Sequence, residues 1–443
     1  MDTAAVERFR ELLRIPTVSH TDPAASDAAP FARFRDTLRR LYPLLHAELE
    51  GELVGEHAML YRWRGHAPDA PLVLMAHYDV VPVVPDEWTH PPFDAVLTGE
   101  GEEATIHARG AIDDKGSLVA ILEAVEALVG EGWRPARDVY LAFGHDEEVA
   151  GLGAPAIVDL LRERGVRPAL VLDEGGAVVS GAVPGVDSET AMIGVAERGV
   201  MTLGLTAREA GGHASTPPPL PATARLARAI DRLQRHPAPV RLAPPVRAMF
   251  RTLAPFAREP FRSVFLNLAV TGGLLARVLP RFGAETNALV RTTAVVTELR
   301  GADGENVLAT TARAAVNIRL LTGDSVTEAT ERARRAIADP LIEIDVRHGS
   351  DPSPVSPWRG EGWRRIATAV GSALGTDVVP TPYLQLGASD SRWFTAICEN
   401  VYRFAPFRLT ASEREALHAH DERIRVDVWL RGIGFYRDLL RLS

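Results

Sequence analysis

Apolar residues recur along this chain in two rhythms, one helical and one strand-like. Residues 4 to 14 place Val6, Phe9, Leu12 and Leu13 at helical spacing, and Ile15-Pro16-Thr17-Val18-Ser19 ends that helix. After a polar Pro/Ala loop, Phe31 to Leu45 reads as a second amphipathic helix, then Met59 to Trp63 and Leu72 to Ala76 read as strands. Leu72 to Ala76 is apolar at every position, as in a strand buried on both faces, and the apolarity stops at His77 and Asp79. From Lys115 onward Leu118, Ile121, Leu122, Val125 and Leu128 mark a buried helix face. Asp138 to Phe143 and Ala169 to Leu172 are further apolar strands, and helices return at Trp363 to Leu374 and near Val426 to Leu440. The alternation predicts an α/β sandwich.

Around residue 195 the rhythm changes. Val200 to Thr206, Asn287 to Thr297, Ala312 to Leu321 and Leu341 to Val346 read as strands, with helices at Ala222 to Leu233 and Val326 to Ile337. That order, β-α-β-β-α-β, predicts a ferredoxin-like α+β unit with an antiparallel sheet. It is read as an inserted lid or dimerisation domain, 195–350, leaving 1–194 and 351–443 as the main domain. Within the insert, 236–286 is a Pro-punctuated, helix-like stretch containing the apolar runs VFLNLAV and LLARVL. Neither run can span a bilayer, so extra lid packing or a subunit contact is preferred to a membrane-binding hairpin.

A chain of 443 residues, 46% of them apolar, suits two cores. The net charge of -9, a pI near 5.9 and the lack of a basic block argue against nucleic acid or an anionic membrane as partner. A small-molecule or peptide substrate fits better. Cys398 is the single cysteine, which excludes an intrachain disulfide and a thiolate-ligated metal site. The N-terminal stretch carries charges throughout and has no apolar signal region, so the expected location is cytoplasmic.

In open α/β sheets ligands gather beyond the carboxyl ends of the strands. His77 stands at one such end, with Asp79 two residues on as a carboxylate able to orient it. Asp113 and Asp114 precede the helix that begins at Lys115, where the ordinary reading of one of them is a cap. Glu147 and Glu148 follow the strand Asp138 to Phe143, and Asp173-Glu174 follows Ala169 to Leu172. Carboxylates crowded together raise one another's pKa, and a bound cation relieves that. Two cations sharing a carboxylate hydrolyse amides by acidifying water and polarising the carbonyl. Such a site needs a second histidine, for which His418 and His420 compete.

The motifs AHYDVVP, ARGAIDDKG, GHDEEVAG, LDEGG, GGHAS, GASDSR and LHAHDERI, in that order, resemble the co-catalytic dinuclear zinc metallopeptidases. That family includes aminoacylase, acetylornithine deacetylase, succinyl-diaminopimelate desuccinylase and carboxypeptidase S, and the resemblance is strongest to the carboxypeptidase S branch. It implies a mixed, mostly parallel sheet between helices and two Zn2+ ions, with Co2+ or Mn2+ as substitutes. It further implies that His77 and Glu174 hold one ion, Glu148 and His418 the other, and Asp113 bridges them. Glu147 corresponds to the general base, and Asp79 to the carboxylate behind His77. His213 matches a histidine that stabilises the tetrahedral intermediate, often across a dimer interface, so a homodimer is the assembly the resemblance allows. Asn306 corresponds to the family's Asn-Val-Ile-Pro, although the proline is missing here. Arg319 and Arg392 are candidates to clamp a substrate carboxylate. The implied activity is hydrolysis of N-acyl amino acids or of peptides with a free C-terminal carboxylate. A dipeptidase or aminopeptidase of the same family is the alternative, and a catalytically dead peptide-binding protein the alternative outside enzymes.

Overall fold

The apolar run Leu72 to Ala76 lies near the middle of an eight-stranded sheet in the computed structural model, which describes residues 3–22 and 25–443. The Pro/Ala loop expected after Ser19 falls partly outside those residues. Across the sheet the strands run Glu50–Val54, Ala58–Trp63, Arg137–Gly144, Ala67–His77, Leu170–Val179, Val401–Arg408, Thr190–Glu197 and Val379–Gln385. Ala67–His77 is parallel to both neighbours, with Leu72 opposite Val139 on one side and Leu170 on the other. Ala58–Trp63 runs antiparallel to both of its neighbours, Glu50–Val54 at the edge and Arg137–Gly144, so the sheet is mixed, as a fold of this class implies. Helices Thr3–Leu13, Lys115–Gly130 and Val426–Arg441 bury Phe9, Leu122 and Trp429 on one face. The other face is closed by Gly153–Glu163 through Ile157, Val158 and Leu161.

Three departures from the expected elements have local causes. Phe31 to Leu45 is two helices, Ala28–Leu41 and Pro43–Glu48, because Pro43 lacks the N–H needed to continue the first and is well suited to open the second. Asn287 does not begin a strand: Ala284–Val290 is helical and buries Leu289 and Val290, and the strand starts at Thr293. The Leu170 strand does not stop at Leu172 but continues to Val179 past a bulge. Arg403 pairs with Asp173 and the next residue, Phe404, with Gly176, leaving Glu174 and Gly175 extra on their strand. Gly175 has φ +137°, and a Cβ on Gly176 would lie 1.7 Å from the Met192 carbonyl oxygen, so the glycine pair is what allows the bulge.

The second sheet is antiparallel in the order Thr293–Arg300, Thr311–Leu320, Gly199–Arg208 and Ile342–Ser350. In chain order these are strands two, three, one and four, the ferredoxin-like arrangement. Helices Ala222–Arg235 and Val326–Ile337 cover it, and Leu203, Leu226, Val316 and Ile337 belong to a core separate from that of the large sheet. The helices Pro244–Leu253, Phe261–Leu266 and Leu268–Val278 instead bury Val246, Phe250, Phe265 and Leu275 in the main core. Pro244–Leu253 packs along the edge strand Val379–Gln385 and shields its open side. Among the described residues no helix is long and apolar enough to cross a membrane.

Candidate active site

His77 is the last residue of its strand and faces Gly144 of the neighbouring one, so two strand ends open at the same place. The residues after Gly144 form a short turn, Glu147–Val149, that sets Glu147 and Glu148 beside His77. Asp79 holds this turn: its Oδ1 accepts the Glu147 N–H and its Oδ2 the Glu148 N–H, both at 3.2 Å, while Ser19 Oγ donates to Oδ2 at 2.7 Å. The same carboxylate stands 3.2 Å from His77 Nδ1 and so directs Nε2 outward into the site.

Nε2 of His77 lies 3.0 Å from Asp113 Oδ1 and 3.6 Å from Glu174 Oε1. The other oxygen of Asp113 lies 3.0 Å from His418 Nε2, which is also 3.0 Å from Glu148 Oε2. His77, Asp113, Glu148, Glu174 and His418 are therefore one cluster, reached from two strand ends, a bulge within a third strand, a helix start and a distant loop. Of the competitors, His420 points to Glu87 instead, 4.0 Å away, and Asp173 spends its Oδ2 on the Ser391 N–H at 2.8 Å.

Asp114 occupies the N-cap position of Lys115–Gly130 but makes no side-chain cap bond, against the ordinary reading of it. Its Oδ2 accepts the His77 N–H at 3.3 Å, and with His77 and Glu174 it forms a second group of potential ligands beside His77, Asp113 and Glu148. His418 has φ +59°, in the left-handed region that non-glycine residues rarely occupy.

Electrostatics mark the cluster as built around positive charge. Burial lifts Glu147 and Glu174 well above the carboxylate range, and Glu148 above it. Burial would do the same to Asp113, but its hydrogen bonds with His418 and His77 hold it well below. His418 is pushed up to about 10, chiefly by the bonds with Asp113 and Glu148. Burial opposes a charge on His77, yet the Glu174 carboxylate and the bonds to Asp113 and Asp79 raise it well above its ordinary value. Oε1 of Glu148 and Oδ1 of Asp114 are buried with no hydrogen-bond partner. Imidazole nitrogens and carboxylate oxygens without thiolate, with buried lone pairs unspent, fit divalent metal ions.

A residue absent from the expected set shapes the Asp113 loop. Glu422 is fully buried and its two oxygens accept from the Gly110, Ile112 and Asp113 N–H groups at 2.9, 2.7 and 3.1 Å, and from Arg109 Nη1 at 2.7 Å. Its place four residues after His418 is the signal by which the sequence could have shown it.

The remaining candidates lie apart from the cluster. Gly212–His213 pairs with Val307–Leu308, and the Ala214 N–H donates to the Asn306 carbonyl at 3.0 Å, so His213 and Asn306 are neighbours on an exposed two-stranded ribbon separate from the second sheet. Arg392 Nε is 3.8 Å from Glu197 Oε1, and its Nη2 donates to the Asp351 carbonyl at 3.2 Å. Arg319 is half-buried; burial lowers its pKa, and the nearby charge of Arg392 adds to this. Arg198, unforeseen in the sequence, is buried behind Arg319 and lowered to about 10 by burial and then by Arg319. Among the described residues no hydrogen bond or ion pair joins His213, Asn306, Arg319 or Arg392 to the cluster around His77 and Asp113.

A model of peptidase family M20/M25/M40 matches residues 73–442. An N-fatty-acyl-amino acid synthase/hydrolase PM20D1 of Xenopus tropicalis is 33% identical over 444 residues, covering 99% of this chain and 85% of that protein. A probable carboxypeptidase S-like 2 of Dictyostelium discoideum is 31% identical over 448 residues, with 99% and 85% covered. Among solved structures, the M20 family metallo-carboxypeptidase Sso-CP2 of Sulfolobus solfataricus superposes with a TM-score of 0.72 at 18% identity, over 100% of this chain and 99% of that one, a likeness of fold.

Proposed function

The chain belongs to peptidase family M20/M25/M40 and is a metal-dependent amide hydrolase, and on that premise we propose that it cleaves the amide bond of N-acyl amino acids, or of peptides with a free C-terminal carboxylate. The observation that carries this reading is Asp113, whose two oxygens face two different histidines at 3.0 Å each. In this assignment His77 and Glu174 would hold one Zn2+ and Glu148 and His418 the other, with Asp113 offering one oxygen on the side of each histidine. Bound there, two such ions supply Lewis-acid polarisation of the carbonyl and a water of lowered pKa.

Glu147 is the general base. Its carboxyl has no hydrogen-bond partner among the described residues, and burial raises its pKa well above the ordinary carboxylate value, which favours holding a proton between its uptake and its return. It removes a proton from the attacking water and delivers it to the leaving nitrogen. Asp79 keeps both His77 and the Glu147 turn in place. His213 and Asn306 meet the developing oxyanion once the lid, or a second copy in a homodimer, brings that ribbon over the site. Arg319 and Arg392 hold the substrate carboxylate, a pairing suited to a guanidinium fork.

The deciding experiment is mass-spectrometric profiling of the metal-loaded enzyme on N-acyl amino acids of increasing chain length and on free dipeptides, with and without chelator. Chelator-sensitive release of the free amino acid from N-acyl substrates is expected. Turnover that requires a free α-amine, with dipeptides cleaved and their N-acylated forms and N-acyl amino acids refused, would overturn the substrate assignment, and chelator-insensitive turnover would overturn the metal assignment.

A further inference from the structure

The helical stretch that covers the sheet edge also carries an apolar stripe turned to solvent. Phe265, Leu268, Leu275 and Leu279 point into the main core, while Leu266, Val270 and Leu274 are 63, 87 and 66% exposed. These three are spaced four residues apart on Phe261–Leu266 and Leu268–Val278, two helices that meet at Asn267, and Phe282 is exposed beyond the second. Arginines flank the stripe at helical spacing: Arg262 lies four residues before Leu266, and Arg277 and Arg281 lie three and seven residues after Leu274. All three are exposed and, among the described residues, none has a carboxylate partner. Arg277 donates only to the Gly273 carbonyl and Arg281 only to the Arg277 carbonyl.

We propose that this face docks on the anionic surface of a lipid bilayer, lying in the interface without crossing it. The charge of the whole chain hides the local balance: 236–286 holds seven arginines against two glutamates in a protein of net charge -9. An apolar centre flanked by guanidinium groups matches acyl chains rimmed by phosphate or carboxylate headgroups. A second copy of the chain fits worse. A two-fold axis at Val270 that pairs the helices antiparallel sets Arg262 against Arg277 and leaves only Arg281 facing a carboxylate, Glu259, while a parallel pairing sets each arginine against its own copy, so like charges outnumber the one opposite pair. A long-chain N-acyl amino acid is itself an anionic amphiphile that partitions into such a surface, so docking would place the enzyme where that substrate collects. This last link rests on the substrate reading above; the binding itself does not.

The test is co-sedimentation of the full-length, metal-loaded protein with vesicles of phosphatidylcholine alone or mixed with phosphatidylglycerol. Binding is expected only with the anionic lipid and should weaken as salt rises. Val270→Glu with Leu274→Glu should reduce partitioning at least about tenfold, and Arg277→Gln and Arg281→Gln about fivefold each, since a basic residue near such a surface contributes about that factor. Both positions are on the surface, so the melting temperature and the hydrolysis of an N-acetyl substrate too short to form micelles should stay as in the wild type. That second readout separates failure of docking from failure of the substrate assignment. No binding to anionic vesicles, equal binding to neutral ones, or undiminished binding by the glutamate variant would overturn the proposal. So would a wild-type dimer that the glutamate variant converts to monomer, because the second copy would then be the occupant.

Discussion

His418 reaches Asp113 from 305 positions further along the chain, its Nε2 3.0 Å from Oδ2. The first oxygen of Asp113 is already turned to His77, so the site is complete only when the C-terminal segment has folded back onto the first half of the chain. Metal binding and folding are therefore linked. Acidic groups packed without a cation repel one another, and a ligand that binds only the folded state stabilises it. Chelation is expected to abolish turnover and lower the melting temperature, and added Zn2+ to restore both. At a metal concentration 1,000 times the Kd the gain is about 4 kcal/mol. An unchanged melting curve on chelation and reloading would contradict the linkage.

Glu147→Gln removes the proposed proton acceptor but keeps the shape of the turn, because Asp79 bonds the main-chain N–H of Glu147 and not its side chain. Turnover should fall roughly 10²- to 10⁴-fold, the usual contribution of a positioned general base, with metal content unchanged. Metal analysis of the purified variant checks the second half. A variant that lost its metal as well would point to Glu147 as a ligand.

Glu422→Gln acts at one remove. Glu422 ties together the Gly110, Ile112 and Asp113 amides and the Arg109 guanidinium, so the amide variant keeps the volume and loses the charge that neutralises Arg109 inside the protein. Metal affinity should weaken about 10- to 100-fold, as when a group that orients a ligand is removed. A competitive chelator titration reads this directly, and activity at saturating metal should recover most of the way.

Arg319 and Arg392 are set apart from the ligands by their charge environment, two guanidinium groups near one another with Glu197 as the nearest acid to Arg392. Replacing either by Gln should raise KM roughly 10- to 150-fold for substrates with a free carboxylate, the range of one charge-assisted hydrogen bond. Substrates in which that carboxylate is an amide should show little change. A rise of equal size for both kinds of substrate would leave the arginines a structural role only.

His77, Glu147, Glu148 and Glu174 were legible because each follows an apolar run that ends abruptly in acids or histidine, whereas Asp113 was marked by the helix that follows it and His418 by the motif around it. The bulge that aims Glu174 was not legible, since it depends on the Met192 carbonyl and on Arg403 across the sheet. Nor were the strands Val379–Gln385 and Val401–Arg408, whose internal prolines at 380, 382 and 406 argue locally against a sheet. Val379–Gln385 tolerates its prolines as an edge strand, covered by a helix more than a hundred residues away. Glu422 escaped because its partners are backbone amides some 310 positions distant.

Cys398 offers a check on the fold that needs no substrate. It is buried beneath Ile397 and Val401, its thiol within 3.5 Å of the Asn400 carbonyl, and burial pushes it up to about 11. A free thiol is about one quarter thiolate at pH 8, whereas one with a pKa near 11 is roughly 0.1% thiolate. Alkylation at pH 8 should therefore be slow in the native protein, slower than the thiolate fraction alone dictates because the sulfur is also shielded, and fast after denaturation. Since the folded pKa exceeds the unfolded one, the thiol's contribution to stability is complete below pH ~8.5 and is lost as pH rises toward 11. Rapid labelling of the native, metal-loaded enzyme at pH 8 would mean that this strand end opens on its own, and the face built on Ile157 and Val401 with it.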